Sequence, residues 1–263
     1  MTEPLLKVDA LTVRYRLPGG GTLTAVNEVS LDIAPGSVVG LVGESGCGKS
    51  TMARAVCGLE PIAGGRIEFM GAEVKKLGMG RRPAELMGIQ MVFQNPYASL
   101  NPRRTVGSQI EDGLRANPET VSWSVADLLR EVELPADVGG RFPHQFSGGQ
   151  RQRIAIARAI ASGPRLLIGD EPIASLDASL QARVAVLMRK LALDSGASLL
   201  FISHDLAVVR TIADEVAVMN RGVIVERGTA ERVWNDPQEP YTQRLLAAIP
   251  AVDGLGTLPG LDA

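Results

Sequence analysis

Apolar and polar residues alternate along the start of the chain. Leu6, Val8, Leu11, Val13 and Tyr15 keep a two-residue period with one irregularity, and Val29, Leu31 and Ile33 alternate with Ser30 and Asp32. Both patterns predict half-buried strands, with Gly19-Gly20-Gly21 as the break between them. After the Pro35-Gly36 turn, Ser37 to Val42 is a strand-sized apolar run that reads as a buried strand. A glycine-rich loop follows, then a helix expected over Lys49 to Cys57 and ended by Gly58. Ile67 to Met70 and Ile89 to Phe93 predict further strands.

Strand patterning then fades between Asn95 and about Gly139, where Val125, Leu128, Leu129 and Val132 mark a helical face instead. Further on, strand and helix alternate. Leu166 to Ile168 and Leu199 to Ile202 predict strands; Leu180, Val184, Leu187 and Leu191, and then Leu206, Val209 and Ile212, lie on helical faces. Val216 to Met219 and Val223 to Val225 flank a turn at Asn220-Arg221-Gly222. Such a rhythm needs crossover connections and predicts an α/β fold with a mainly parallel sheet. The expected organisation is a single domain over 1–250, with a core formed by 1–94 and 164–250 and a helical lobe over about 95–163. A loose tail over 251–263 is expected to follow.

Composition adds mainly exclusions. The chain has 263 residues, 45% hydrophobic and 21% charged, with a formal net charge of -2, so no nucleic-acid or anionic-membrane partner is expected on charge grounds. The N-terminus shows no basic stretch leading into an apolar run, so no signal peptide is expected. No apolar run approaches the roughly 18 residues needed to span a bilayer. Cys47 and Cys57 form no CxxC pair and His144 and His204 are the only histidines, so a zinc site is not expected; the two cysteines fit a reducing compartment.

The chemistry concentrates in three places. Gly43-Glu44-Ser45-Gly46-Cys47-Gly48-Lys49-Ser50 matches GxxxxGK[ST] between a strand and a helix. Glycine lets successive N–H groups curve around phosphate oxygens, and the helix start adds unpaired donors. Lys49 reaches the β- and γ-phosphates and Ser50 coordinates Mg2+, with Thr51 counted beside them. Far downstream, the apolar strand Leu166 to Ile168 runs into Asp170, placed to hold Mg2+, and Glu171, placed to orient or deprotonate the attacking water. His204 closes the following strand, where ligands of α/β sheets collect, and the γ-phosphate is its expected partner.

Phe146-Ser147-Gly148-Gly149-Gln150-Arg151-Gln152-Arg153 resembles the signature motif of ABC ATPases, although the serine and glycines also suit a helix cap. The resemblance runs from the first strand to about Pro250. It implies a P-loop NTPase of ABC ATPase type, with an antiparallel N-terminal β region and a helical insertion lobe that meets a transmembrane partner. It implies an ATPase with ATP and Mg2+ as cofactors. Tyr15 then stacks on adenine, and Gln94 reaches Mg2+ and the attacking water. Ser147, Gly149 and Gln150 act on ATP held by an opposite subunit, Asp177 belongs to a loop crossing the dimer interface, and His204 is the switch histidine. Asn95 to Arg103, His144 to Ser147, and Asn235 to Pro237 with Glu239 to Thr242 resemble importer ATPases for oligopeptides, dipeptides and nickel. Two departures stand out: Ile173, where the family commonly has threonine, and Gly169, where a small apolar residue is more usual.

The expected partners are two separate permease subunits, a second ATPase subunit of the same or a different chain, and an extracytoplasmic solute-binding protein. The expected location is the cytoplasmic face of the inner membrane. Peptides, nickel, opines and glutathione-like thiols all remain open as cargo. Two alternatives stay in view: an exporter ATPase, and a soluble ABC ATPase acting on ribosomes or DNA.

Overall fold

The computed structural model describes residues 3–78, 83, 85–94, 99–116 and 123–249. Asn95 to Ala98 of the importer-like segment and the tail 251–263 lie outside the described residues.

In chain order the first elements are strands β1 (Leu6–Arg16), β2 (Thr22–Ile33) and β3 (Val38–Val42), helix α1 (Lys49–Val56), and strands β4 (Gly64–Phe69), β5 (Ala72–Glu73) and β6 (Ile89–Val92). Helices α2 (Val106–Ala116), α3 (Val125–Glu131) and α4 (Gly148–Ala161) follow. Then come β7 (Leu166–Asp170), α5 (Ala178–Asp194), β8 (Ser198–Ser203), α6 (Leu206–Ile212), β9 (Glu215–Asn220), β10 (Val223–Thr229), α7 (Ala230–Asn235) and α8 (Pro240–Ala247).

Two sheets result. A four-stranded antiparallel sheet has the order β2-β1-β4-β5; a six-stranded sheet has the order β10-β9-β3-β8-β7-β6 and is parallel except for β10. The break in the early alternation is a bulge: the β1–β2 register shifts between Val8 and Leu11, where Ala10 has φ +45° and its amide donates to the Ser30 hydroxyl. β2 starts at Thr22, well before the apolar signal at Val29, because main-chain pairing of Arg16 to Thr22 and Tyr15 to Leu23 carries it through a polar stretch. α1 is one residue shorter than expected, with Cys57 as its C-cap.

The parallel strands are buried on both faces, and alternate side chains enter different cores. Val38, Val42, Leu167, Leu199 and Phe201 face a core shared with α2 to α6. Val39, Leu41, Ile168, Leu200 and Ile202 face a second core built with the antiparallel sheet and α1. Fully burying one such side chain is worth roughly 1.5–3 kcal/mol, so these two cores hold the strand ends in fixed positions. Among the described residues no helix is long and apolar enough to cross a membrane.

Candidate functional site

β3, β8 and β7 lie side by side and parallel, so the segments leaving their carboxyl ends meet on one edge of the sheet. The loop after β3 carries Gly43 at φ +152° and Gly48 at φ +112°. A side chain on Gly43 would collide with the Met219 carbonyl and one on Gly48 with the Ala25 carbonyl, so the tight path needs glycine twice over. Lys49 opens α1 and is buried. Its Nζ donates to the carbonyls of Gly43 (2.7 Å) and Glu44 (3.0 Å) and stands 3.7 Å from Glu171 Oε1.

Ser50 Oγ donates to Asp170 Oδ1 at 2.7 Å, tying α1 to the end of β7. Burial pushes the Asp170 carboxyl above its ordinary pKa, and the Ser50 hydrogen bond pulls the other way. Glu171 has φ +50°, a costly conformation for a residue with a side chain. Its amide donates to the Ile202 carbonyl of β8 at 3.0 Å, which holds the kink. The kink turns the carboxylate inward: Oε2 lies 2.8 Å from Nδ1 of His204, just beyond β8.

Apart from Asp170, which reaches it only through Ser50, these groups face a cleft of about 350 Å³, a size suited to a small-molecule ligand. Lys49, Ser50, Thr51, Glu171 and His204 line it together with Ser45, Gly46 and Gly48 of the loop. Gln94 enters from beyond β6, and Tyr15 with Leu23 and Ala25 closes the side toward the antiparallel sheet. The Tyr15 hydroxyl donates to Thr51 Oγ1 at 3.4 Å.

Three loop residues sit differently from the rest. Gly43, Glu44 and Cys47 do not line the cleft. The Glu44 amide instead donates to the Tyr241 hydroxyl of α8 at 3.2 Å, and the Cys47 carbonyl accepts from the Gly222 amide of the β9–β10 turn at 2.9 Å. Cys47 is buried, with Sγ 3.9 Å from Lys49 Nζ; burial pushes its thiol pKa up. Tyr241 belongs to the tail segment singled out by resemblance, but a hydroxyl reaching across 197 residues leaves no periodic trace in sequence.

Ser147, Gly149, Gln150 and Asp177 lie outside the cleft lining. Ser147 caps α4: its Oγ accepts from the Gln150 amide at 3.3 Å, and its own amide donates to Gln150 Oε1 at 2.9 Å. Gly149 is packed against the end of the Leu180 side chain, which would have to shift to admit a Cβ there. Asp177 caps α5 by accepting from the Leu180 amide at 3.0 Å. Ile173 is 1% exposed within the larger core, and Gly169 lies where an added Cβ would meet Met188 Cε at 2.9 Å and Pro172 Cγ at 3.0 Å. Local packing thus accounts for both departures from the resembled pattern.

Comparison with known proteins is consistent with this geometry. The family model described as ABC transporter matches residues 26–174. The oligopeptide transport ATP-binding protein OppF of Bacillus subtilis (strain 168) is 44% identical over 260 residues, covering 96% of this chain and 85% of that protein. The glutathione import ATP-binding protein GsiA of Escherichia coli (strain K12) is 44% identical over 261 residues, and there the chain spans only 42% of the relative's length. Among solved structures, the dimeric post-hydrolysis state of the ATP-binding cassette MJ0796 bound to ADP and Pi superposes with a TM-score of 0.71 at 26% identity, covering 86% of this chain and 98% of that one. With the family model over more than half its length and a relative 44% identical that it covers to 85%, the chain belongs to the ABC transporter family, among its ATP-binding members.

Proposed function

We propose that this chain hydrolyses ATP to ADP and phosphate and thereby powers a bacterial importer for peptides or a related small solute such as nickel, an opine or a glutathione-like thiol. One observation carries the reading: Lys49, Ser50, Glu171 and His204, from three adjacent strand ends, line one cleft, and Asp170 is hydrogen-bonded to Ser50 at its edge. The oligopeptide and glutathione assignments of the relatives support the choice of cargo class.

In this reading the loop amides and Lys49 hold the ATP phosphates, and Tyr15 stacks on the adenine. The Ser50 hydroxyl and Asp170 carboxylate are a hard-oxygen pair 2.7 Å apart, a donor set that fits Mg2+, with Gln94 as a further contact. Bound there, Mg2+ would neutralise phosphate charge. Glu171 orients the water and takes its proton, a role worth roughly 100- to 10,000-fold in rate. His204, on the other oxygen side of Glu171 from Lys49, keeps that carboxylate aimed.

Ser147, Gly149 and Gln150 at the head of α4, with Asp177 at the head of α5, serve the site of a second ATPase subunit, so hydrolysis opens a clamp closed by ATP. We take residues 1–94 and 164–250 as the core and about 95–163 as a helical lobe. A groove of about 840 Å³, lined by Leu100, Arg103, Arg104, Asp112 and Arg158 among others, supports docking of a permease on that lobe. Two permeases and an extracytoplasmic solute-binding protein complete the system, with this chain on the cytoplasmic face of the membrane.

The test is to tag the chain in its own cells, extract it in mild detergent, and assay the preparation for ATP hydrolysis. Recovery with two multi-span proteins, and hydrolysis lost in Glu171→Gln while ATP binding persists, is the expected result. Recovery with ribosomes or DNA and no membrane protein overturns the transport reading. Unchanged phosphate release by Glu171→Gln overturns the catalytic assignment.

A further inference from the structure

The phosphate loop is held from behind by the last part of the chain. The Tyr241 side chain is 8% exposed, and its hydroxyl accepts the Glu44 amide hydrogen bond. The Gly43 carbonyl, at the other end of the same peptide unit, accepts from Lys49 Nζ at 2.7 Å. Tyr241 is itself fixed from below, because the buried carboxylate of Glu226 on β10 accepts from the amides of Gln238 (2.8 Å) and Glu239 (3.2 Å) at the start of α8. Each oxygen of that carboxylate takes one amide, so α8 cannot pivot without leaving a buried charge unpaired.

A peptide plane has one orientation for both its ends. The Glu44 amide and the Gly43 carbonyl are the two ends of one such plane, so holding the amide limits rotation of the carbonyl that receives Lys49. We infer that Tyr241 is a positioning residue for the ATP site, acting through the Gly43–Glu44 peptide on Lys49, with Glu226 as its anchor. The inference rests on the ATP reading above and adds to it a control point 197 residues away in sequence. Helix α8 then belongs to the phosphate site, and a contact that shifts α8 changes nucleotide affinity.

The decisive variant is Tyr241→Phe, which keeps the ring and removes only the acceptor. With the purified wild-type complex, the expected outcome is a three- to tenfold rise in KM for ATP, kcat within twofold, and an unchanged unfolding midpoint. A merely structural role would lower the midpoint and scale kcat with the folded fraction. Glu226→Gln is expected to raise KM in the same direction, and the double variant to be no worse than the stronger single one, because both act through one path. Wild-type KM in Tyr241→Phe, or fully additive effects in the double variant, overturns the inference alone. Absence of ATP binding in the wild-type chain, or binding undiminished by Lys49→Ala, removes the ATP reading and this inference with it.

Discussion

Two glycine-containing segments of the molecule begin helices and end in opposite circumstances. The loop before α1 is enclosed: carbonyls, a carboxylate and neighbouring strand ends of the same chain surround Lys49, which is 4% exposed. The segment before α4 is closed on itself by its capping box, with Ser147 and Gly148 on the surface. Similar local chemistry therefore has two outcomes. One segment is completed by strands far away in its own chain; the other is fully explained as a cap and presents its remaining face outward. That contrast is what the proposed pairing of two subunits uses.

The strongest challenge to the contrast is Ser147→Arg. Hydrolysis should fall about 100-fold or more, the cost of removing a group that stabilises transition-state charge, while lost capping costs only about 1 kcal/mol of stability. Lys49→Ala should be equally inactive. Mixing the two variants should restore measurable activity, since one composite site regains both groups; no recovery would place both segments in service of the same chain's site.

Asp170→Asn tests the enclosed side. Hydrolysis with Mg2+ should drop by roughly two orders of magnitude, as for other essential charged groups. The unfolding midpoint without nucleotide should rise. The folded-state pKa of Asp170 lies above its unfolded value, so the folded chain binds the proton more tightly. This term favours folding at pH below the unfolded pKa and is lost as pH rises through the folded one. Asparagine removes that pH dependence, which thermal melts across the acidic range will read; a lower midpoint would show that the charge is not a burden.

Smaller effects lie beneath the carboxylates. Ile173→Thr should destabilise by about 2 kcal/mol in urea titration, because it removes apolar volume and buries a hydroxyl. A neutral result would mean that this position tolerates the polar residue more common in the family. Gly169→Ala should cost about 1 kcal/mol, since the Met188 terminus lies in the way and a flexible thioether yields more easily than backbone.

Much of the architecture was legible because it is periodic. β1, β3, β7 and β8 announce themselves by alternation or by apolar runs; the chemistry of Gly43 to Ser50 and of Asp170-Glu171 marked two parts of the candidate site, and Tyr15 and Gln94 came only through the resemblance carried by Phe146 to Arg153. What stayed hidden is set by tertiary pairing. Residues Thr22 to Glu28 are too polar to signal a strand and are drawn into β2 by pairing with β1. The left-handed kink at Glu171 depends on a carbonyl from β8. The importer-like tail could be recognised, but its hold on the phosphate loop could not, since neither Tyr241 nor Glu44 has a local pattern that names the other.

The sheet order has a consequence for how the molecule comes into being. β8 lies between β3 and β7, so the strand that leads into Ser50 and the strand that ends at Asp170 never pair with each other. A chain growing from its N-terminus has already made the phosphate loop and both carboxylates by the time Glu171 is added, yet it lacks the strand that spaces them. Only when residues 198–203 insert does the gap in the sheet close and the Ile202 carbonyl become available to Glu171. Contacts between such distant residues form late and slowly. The cluster of Lys49, Glu171 and His204 is therefore assembled late: a nascent chain acquires it only with its third central strand, and a nucleotide bound there, on the reading proposed above, then stabilises the fold by mass action.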